Sequence, residues 1–316
     1  MPVSNNPIQD NINAQTSVGT KDIVSEQEQK QKLDTFTTVD DFDNEVRGLS
    51  AEELNDPNKI IVTVSDKETP LVVLFGPPSC GKTMTLVRMT RFLKSEGYTV
   101  GPIRTFRPMA DTNYAEICGK FDETMNSDYA AESTKRISFM LVEVLKDGRP
   151  ICQILEAPGE YYFNPKKPNA AFPSYVNTII ASPNRKIWAI MIEPDWMDHQ
   201  DRLNYVSRIS NLTKIMRPKD DVVFVFNKID RTPFVMTIGN VNTTSAVKHV
   251  KNQYPGIFNS FMNQNPITKW FKTYNCDFVP FQTGFYTEVE NGLTYQEGPK
   301  EYCVQLWKSL MKNIFG

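Results

Sequence analysis

Eight consecutive residues, Gly76-Pro77-Pro78-Ser79-Cys80-Gly81-Lys82-Thr83, fit the pattern G-x-x-x-x-G-K-[ST]. The glycines let the backbone curl until successive N–H groups point inward, which makes an anion nest at the start of a helix. Lys82 then has the reach to meet the β- and γ-phosphates of a nucleoside triphosphate, and the Thr83 hydroxyl suits Mg²⁺. Gly/Pro turns match such a pattern by chance now and then. Here the flanks are the ones the chemistry requires: the apolar run Leu71–Phe75 before it and a helix-forming stretch, Thr83–Lys94, after it.

A second tetrapeptide, Asn227-Lys228-Ile229-Asp230, follows the apolar run Val222–Phe226, 145 residues after Lys82 (227 minus 82). The pattern [NT]-K-x-D resembles the guanine-recognition motif of GTPases. A carboxylate at the tip of a buried strand accepts two hydrogen bonds, from guanine N1–H and N2–H₂, that adenine cannot offer. A mismatched base leaves that charge unpaired, so discrimination is strong. In such a motif Asn227 ties the base site to the phosphate loop and the Lys228 stem lies along the base. The tetrapeptide alone is a common one; its place at the end of a buried strand gives it weight.

Between these two lies Glu156-Ala157-Pro158-Gly159, where GTPases carry D-x-x-G. In that family the Asp orients a Mg²⁺-bound water and the Gly N–H senses the γ-phosphate. Glu156 departs from the pattern by one methylene. Thr134 stands 22 residues earlier, a separation close to that of the switch I threonine in Ras-like proteins. It is the candidate hydroxyl to complete the Mg²⁺ shell, with Ser133 as its neighbour; a helix-capping or strand-edge threonine is the plain alternative. Glu160 follows Gly159 where many relatives place the glutamine that orients the attacking water, though it can equally face solvent. A carboxylate there repels the γ-phosphate, so hydrolysis is expected to be slow without a partner. Last, Pro280-Phe281-Gln282-Thr283-Gly284 follows a strand where GTPases carry a short loop that contacts guanine O6, and Thr283-Gly284 is a degenerate match.

Across about Leu71 to Thr283 these signals fall in the order of a TRAFAC-type, Ras-like GTPase domain, similar to the bacterial double-GTPase branch. The resemblance implies a six-stranded sheet, GTP or GDP with Mg²⁺, nucleotide-dependent switches, and a protein effector or activator. Thr83, Thr134 and Glu156 are the implied metal side. Two rival readings stay open. One is a P-loop ATPase or kinase with an accidental NKID, for which Glu193-Pro194-Asp195 is the best Walker-B site. The other is a nucleotide-binding adaptor without hydrolysis.

These residues need a scaffold, and the pattern of the chain supplies one. Leu71–Phe75, Ile187–Ile192 and Val222–Phe226 are continuous apolar runs of the kind buried on both faces of a parallel sheet. Ile137–Leu145 and Ile151–Glu156 read as a hairpin about Asp147-Gly148. Lys59–Val64 is β-branched and predicts a strand, and Asp277–Phe281 a last one. Helices are expected over Asp198–Met216 and over Lys300–Ile314, with Tyr302, Leu306, Leu310 and Ile314 on one face of the latter. Strands alternating with helices give an α/β fold, the P-loop NTPase three-layer sandwich: a mostly parallel sheet with one antiparallel hairpin strand, in Ras-like order. The stretch 97–132 is longer than in minimal relatives and predicts an inserted strand or helix.

Composition sets the remaining bounds. The 316 residues are 40% hydrophobic and 23% charged, with a formal net charge of −2, which offers no electrostatic case for nucleic acid. No apolar run approaches the ~20 residues that span a bilayer, and no signal-peptide layout opens the chain. Five scattered cysteines argue against a disulfide framework or zinc site and for a reducing cytoplasm. Residues 1–55 are polar and aperiodic and are expected to be a disordered or weakly ordered tail, with one short helix near Ser25–Lys32. Residues 56–316 then form a single domain. Among smaller features, Cys80 at a helix N-terminus is a redox-switch candidate or a tolerated small residue. Arg104 and Arg107 offer an arginine finger in cis or ordinary salt bridges. Tyr161-Tyr162-Phe163 offers an effector surface or core packing, and His199 and His249 have no metal-ligand spacing.

Overall fold

The computed structural model describes residues 49–316 other than 129–138, 166, 195–197, 266, 268, 269, 271, 272, 290 and 291. The expected tail helix, Ser133, Thr134 and Asp195 lie outside the described residues.

The apolar run Leu71–Phe75 is strand β1, and every one of its side chains is buried. It lies in the middle of a seven-stranded sheet. β2 (Thr99–Pro102), β3 (Met140–Lys146) and β4 (Arg149–Glu156) fall on one side of it, and β5 (Lys186–Ile192), β6 (Asp221–Phe226) and β9 (Asp277–Pro280) on the other, in the order β2-β3-β4-β1-β5-β6-β9. β1 pairs in parallel with both β4 and β5, and β5–β6 and β6–β9 are parallel too. The continuous apolar composition of these strands is what burial on both faces demands.

β3 alone runs against the rest. It is joined to β4 by a tight turn in which Asp147 (φ 51°) and Gly148 (φ 75°) both take positive φ, the conformation that Asp-Gly tolerates. The expected sheet had six strands. The seventh, β2, comes from the long stretch after Gly97 and pairs antiparallel with β3 at the sheet's edge. The same stretch supplies the helices Thr112–Gly119 and Phe121–Asn126, so the insertion adds both a strand and helices.

Lys59–Val64 does not form the expected strand. Ile60, Val62 and Val64 are buried in alternation with exposed Ile61 and Thr63, as in a strand, but the segment meets the chain beyond β2 through Thr63 N–H to Phe106 C=O (2.8 Å). There the chain has already passed into the 3₁₀ turn Arg104–Phe106, which offers no straight edge to pair with.

Helix Lys82–Ser95 starts at the phosphate loop and packs against the C-terminal helix Lys300–Phe315, which also covers β5, β6 and β9. Tyr302, Leu306, Leu310 and Ile314 are its buried face. Helix His199–Ile215, capped by Asp198, brings Tyr205 against Phe75, with ring centroids 6.4 Å apart and nearly parallel. Tyr162 and Phe163 are also buried in that aromatic layer, and Tyr161 packs on it, so the aromatic triplet is core.

Arg107 belongs to the scaffold as well. Its guanidinium is 2% exposed, pairs with Glu53 (2.5 Å) and Asp111 (2.8 Å), and donates to Ile61 C=O (2.8 Å). Two hairpins are additions: β7 (Val235–Thr237) with β8 (Asn240–Val241), and β10 (Gly284–Val289) with β11 (Gly292–Glu297). Among the described residues, no helix is long and apolar enough to cross a membrane.

Candidate functional site

The motifs sit where the topology sends them. Gly76 follows the carboxyl end of β1, Glu156 ends β4, Glu193 follows β5, Asn227 follows β6 and Phe281 follows β9. Ligands of open α/β sheets bind at this edge of the strands.

The loop between β1 and helix Lys82–Ser95 curls through two left-handed residues, Ser79 (φ 59°) and Gly81 (φ 88°). Gly81 is needed for space as well as for φ, since a Cβ there would stand 2.3 Å from Asn227 Nδ2. Lys82 is 5% exposed, and its ammonium donates back into the loop, to Pro77 C=O (2.9 Å). Cys80 is 1% exposed, and burial pushes its thiol up to about 11 despite nearby Lys82. A neutral, enclosed thiol is a poor redox sensor, so Cys80 reads as a small packing residue.

On the metal side the Thr83 hydroxyl donates to Glu156 Oε1 at 3.0 Å. Glu156 is 1% exposed, and burial lifts its carboxyl to about 8 against the opposing pull of Lys82 and Thr83, with Glu160 adding to the rise. Its second oxygen, Oε2, is buried and has no hydrogen-bond partner. An orphaned carboxylate oxygen beside a phosphate-loop hydroxyl is chemistry that a divalent cation satisfies, so the residues fit Mg²⁺. Gly159 lies directly against the loop: a Cβ there would stand 2.4 Å from Pro77 C and Pro78 N. Glu160 is half-buried in the following turn. Arg104 is elsewhere. It lines a cavity of about 250 Å³ with Asp66, Thr69 and Gln153, at the amino ends of β1 and β4, the far end of the sheet from the loop.

On the base side, Asn227 Nδ2 donates to Cys80 C=O (3.0 Å), and its own N–H reaches Ile192 C=O (2.9 Å). Lys228 turns left-handed (φ 56°) and its ammonium pairs with Glu193 Oε2 at 2.7 Å. Asp230 is exposed in the 3₁₀ turn Ile229–Arg231. The end of β9 is bonded to this turn through Ile229 N–H to Phe281 C=O (3.2 Å). Thr283 follows, buried, its hydroxyl 3.0 Å from Tyr286 Oη and its carbonyl accepting from Tyr295 Oη (2.9 Å). Gly284 opens β10 and does not lead straight into a helix, so the expected short loop is here the root of a hairpin.

Two features lie outside the motifs. The Glu193–Lys228 pair joins residues 35 apart, and only the adjacency of β5 and β6 brings them together. The β10–β11 hairpin did leave a signal, because Asn291-Gly292 sits between runs of alternating β-formers.

Strand order, loop and site define a P-loop GTPase fold. No family model matches the sequence, and no curated protein does. Among solved structures the chain is similar to a Plasmodium falciparum protein described as nucleolar GTP-binding protein 1, at 13% identity and a TM-score of 0.38, over 80% of this chain and 91% of that one. It is also similar to the Saccharomyces cerevisiae Ski7 GTPase-like domain bound to GTP (12% identity, TM-score 0.40, 85% of this chain and 53% of that one). A third likeness is Methanosarcina barkeri Roco2 bound to GDP (12% identity, TM-score 0.33, 80% and 51%). The chain spans about half the length of the latter two.

Proposed function

We propose that this chain binds GTP with Mg²⁺ and hydrolyses it slowly, as a cytoplasmic molecular switch read by a protein effector or activator. The observation that carries the reading is the bond from Asn227 Nδ2 to Cys80 C=O (3.0 Å), which ties the NKID turn to the phosphate loop. One nucleotide can then span both. In this reading residues 56–316 are the GTPase domain, and helix Ala51–Asn55, whose Glu53 pairs with Arg107, belongs with it rather than with a disordered tail. The loop N–H groups and Lys82 hold the phosphates, and the Asp230 carboxylate selects guanine. Thr283 and Gly284 border the base. Gly159 would pass a γ-phosphate contact on to the turn that carries Glu160; its close approach to Pro77 and Pro78 supports this.

Thr83 and Glu156 would hold the cation, with Thr134 completing its shell. A Mg²⁺ ion bound there would screen the negative charge of the β- and γ-phosphate oxygens. The contact of Thr83 with Glu156 supports Glu156 as the metal-side carboxylate; of the alternative site Glu193-Pro194-Asp195, Glu193 pairs with Lys228 and Asp195 lies outside the described residues. One observation favours the adaptor as second reading. Glu160, half-buried in the turn after Gly159, carries a carboxylate that would repel a γ-phosphate.

Single-turnover release of phosphate from GTP, with Mg²⁺ and with a chelator, tests the hydrolytic part. The expected result is slow, Mg²⁺-dependent release from GTP and none from ATP. Tight GTP binding with no release, in the presence of candidate activators, moves the protein to the adaptor class.

A further inference from the structure

Glu193 lies outside the GTPase-type motifs of the site, and its surroundings are specific. It is 6% exposed at the carboxyl end of β5, directly after Ile192, whose register partner on β6 is Phe226. Glu193 and Asn227 therefore leave the sheet side by side. The backbone of Glu193 is pinned, because its carbonyl accepts from Tyr254 Oη at 2.8 Å and the preceding carbonyl accepts from Asn227 N–H at 2.9 Å. Its carboxylate spends one oxygen on the Lys228 ammonium at 2.7 Å, and the other is buried without a partner. Lys228 is in a left-handed conformation that a non-glycine residue adopts at a cost.

A four-carbon lysine stem is among the most mobile of side chains. A fixed carboxylate at its far end, on a pinned backbone, removes that freedom before any ligand arrives. We infer that Glu193 is a positioning residue for the base site: by anchoring the ammonium it lays the Lys228 stem out as a preformed wall against which a purine packs. The contribution is preorganisation, since less side-chain ordering is left for the nucleotide to impose. This inference rests on the nucleotide-site reading above and adds a residue to it.

A double-mutant cycle read by calorimetric titration of GDP in Mg²⁺ tests it, with Glu193→Ala, Lys228→Met and the pair. Methionine keeps an apolar stem and drops the ammonium. Glu193→Ala is expected to weaken GDP about tenfold in the wild-type background. In the Lys228→Met background the same change is expected to cost less than about twofold. Equal losses in both backgrounds would show that Glu193 acts without Lys228 and would overturn the inference, as would no loss in either. Should Glu193→Ala fail to fold, Glu193→Gln, which keeps an acceptor oxygen, carries the same cycle with a smaller first loss. If wild type binds ADP as tightly as GDP, guanine selection falls, and the cycle run with ADP still decides the role of Glu193. If it binds neither, both readings fall.

Discussion

Asp230→Asn is expected to turn a protein that prefers GTP into one that prefers XTP, by about 100-fold or more in relative affinity. The carboxylate offers two acceptors to guanine N1–H and N2–H₂. The amide offers one acceptor and one donor, which suits the xanthine N1–H and O2. Sites built to pair with particular polar groups reject the wrong partner strongly, because a desolvated group is left unsatisfied. The change is nearly isosteric. Asp230 is exposed, and among the described residues no hydrogen bond or ion pair holds its carboxylate. Folding stability is therefore expected to move by less than about 0.5 kcal/mol. Titration of both nucleotides against both proteins reads the result. A variant that keeps its GTP affinity would remove Asp230 from the base site.

The second large effect is expected at Gly159. A Cβ there would lie 2.4 Å from Pro77 C and Pro78 N and 2.5 Å from Pro77 O, all backbone atoms of the phosphate loop. Backbone cannot swing aside as a flexible side chain does. Either the loop distorts or the turn Gly159–Tyr162 moves off it, and overpacking of this kind costs about 1–3 kcal/mol. Because the strain falls on the atoms proposed to cradle phosphate, Gly159→Ala is expected to weaken GTP binding by between about tenfold and 100-fold. Gly119→Ala is the control, since a Cβ at Gly119 has nothing within 4 Å and should leave binding unchanged. Parallel calorimetry on the two variants makes the comparison. Equal behaviour would mean that the close approach of Gly159 to the loop has no bearing on binding.

Much of this architecture is readable in the chain because its signals are local. LVVLF, IWAIMI and VVFVF read as strands because they are short, apolar on both faces and rich in β-branched and aromatic residues, which suits the inside of a sheet. The Asp147-Gly148 turn is equally local. What local pattern misses is set by partners. Ile60 to Val64 alternates as a strand should, yet the neighbour it needs has become a 3₁₀ turn. The site divides in the same way. The phosphate loop is a contiguous motif, and its geometry follows from two left-handed residues. The link between Asn227 and Cys80 was implied by family pattern, and it is present at 3.0 Å. The role of Arg107 turns on Glu53 and Asp111, and the pairing of Lys228 with Glu193 turns on which strands are neighbours. The raised carboxyl of Glu156 depends on burial that no tetrapeptide encodes.

In the proposed function a guanine nucleotide lies between the phosphate loop and the NKID turn. Equilibrium titration of the full chain with GTP and with ATP, in the same Mg²⁺ buffer, tests it most directly. Tight GTP binding is expected, with ATP bound at least about 100-fold more weakly. Equal affinities for the two nucleotides, or tighter binding of ATP, would contradict it.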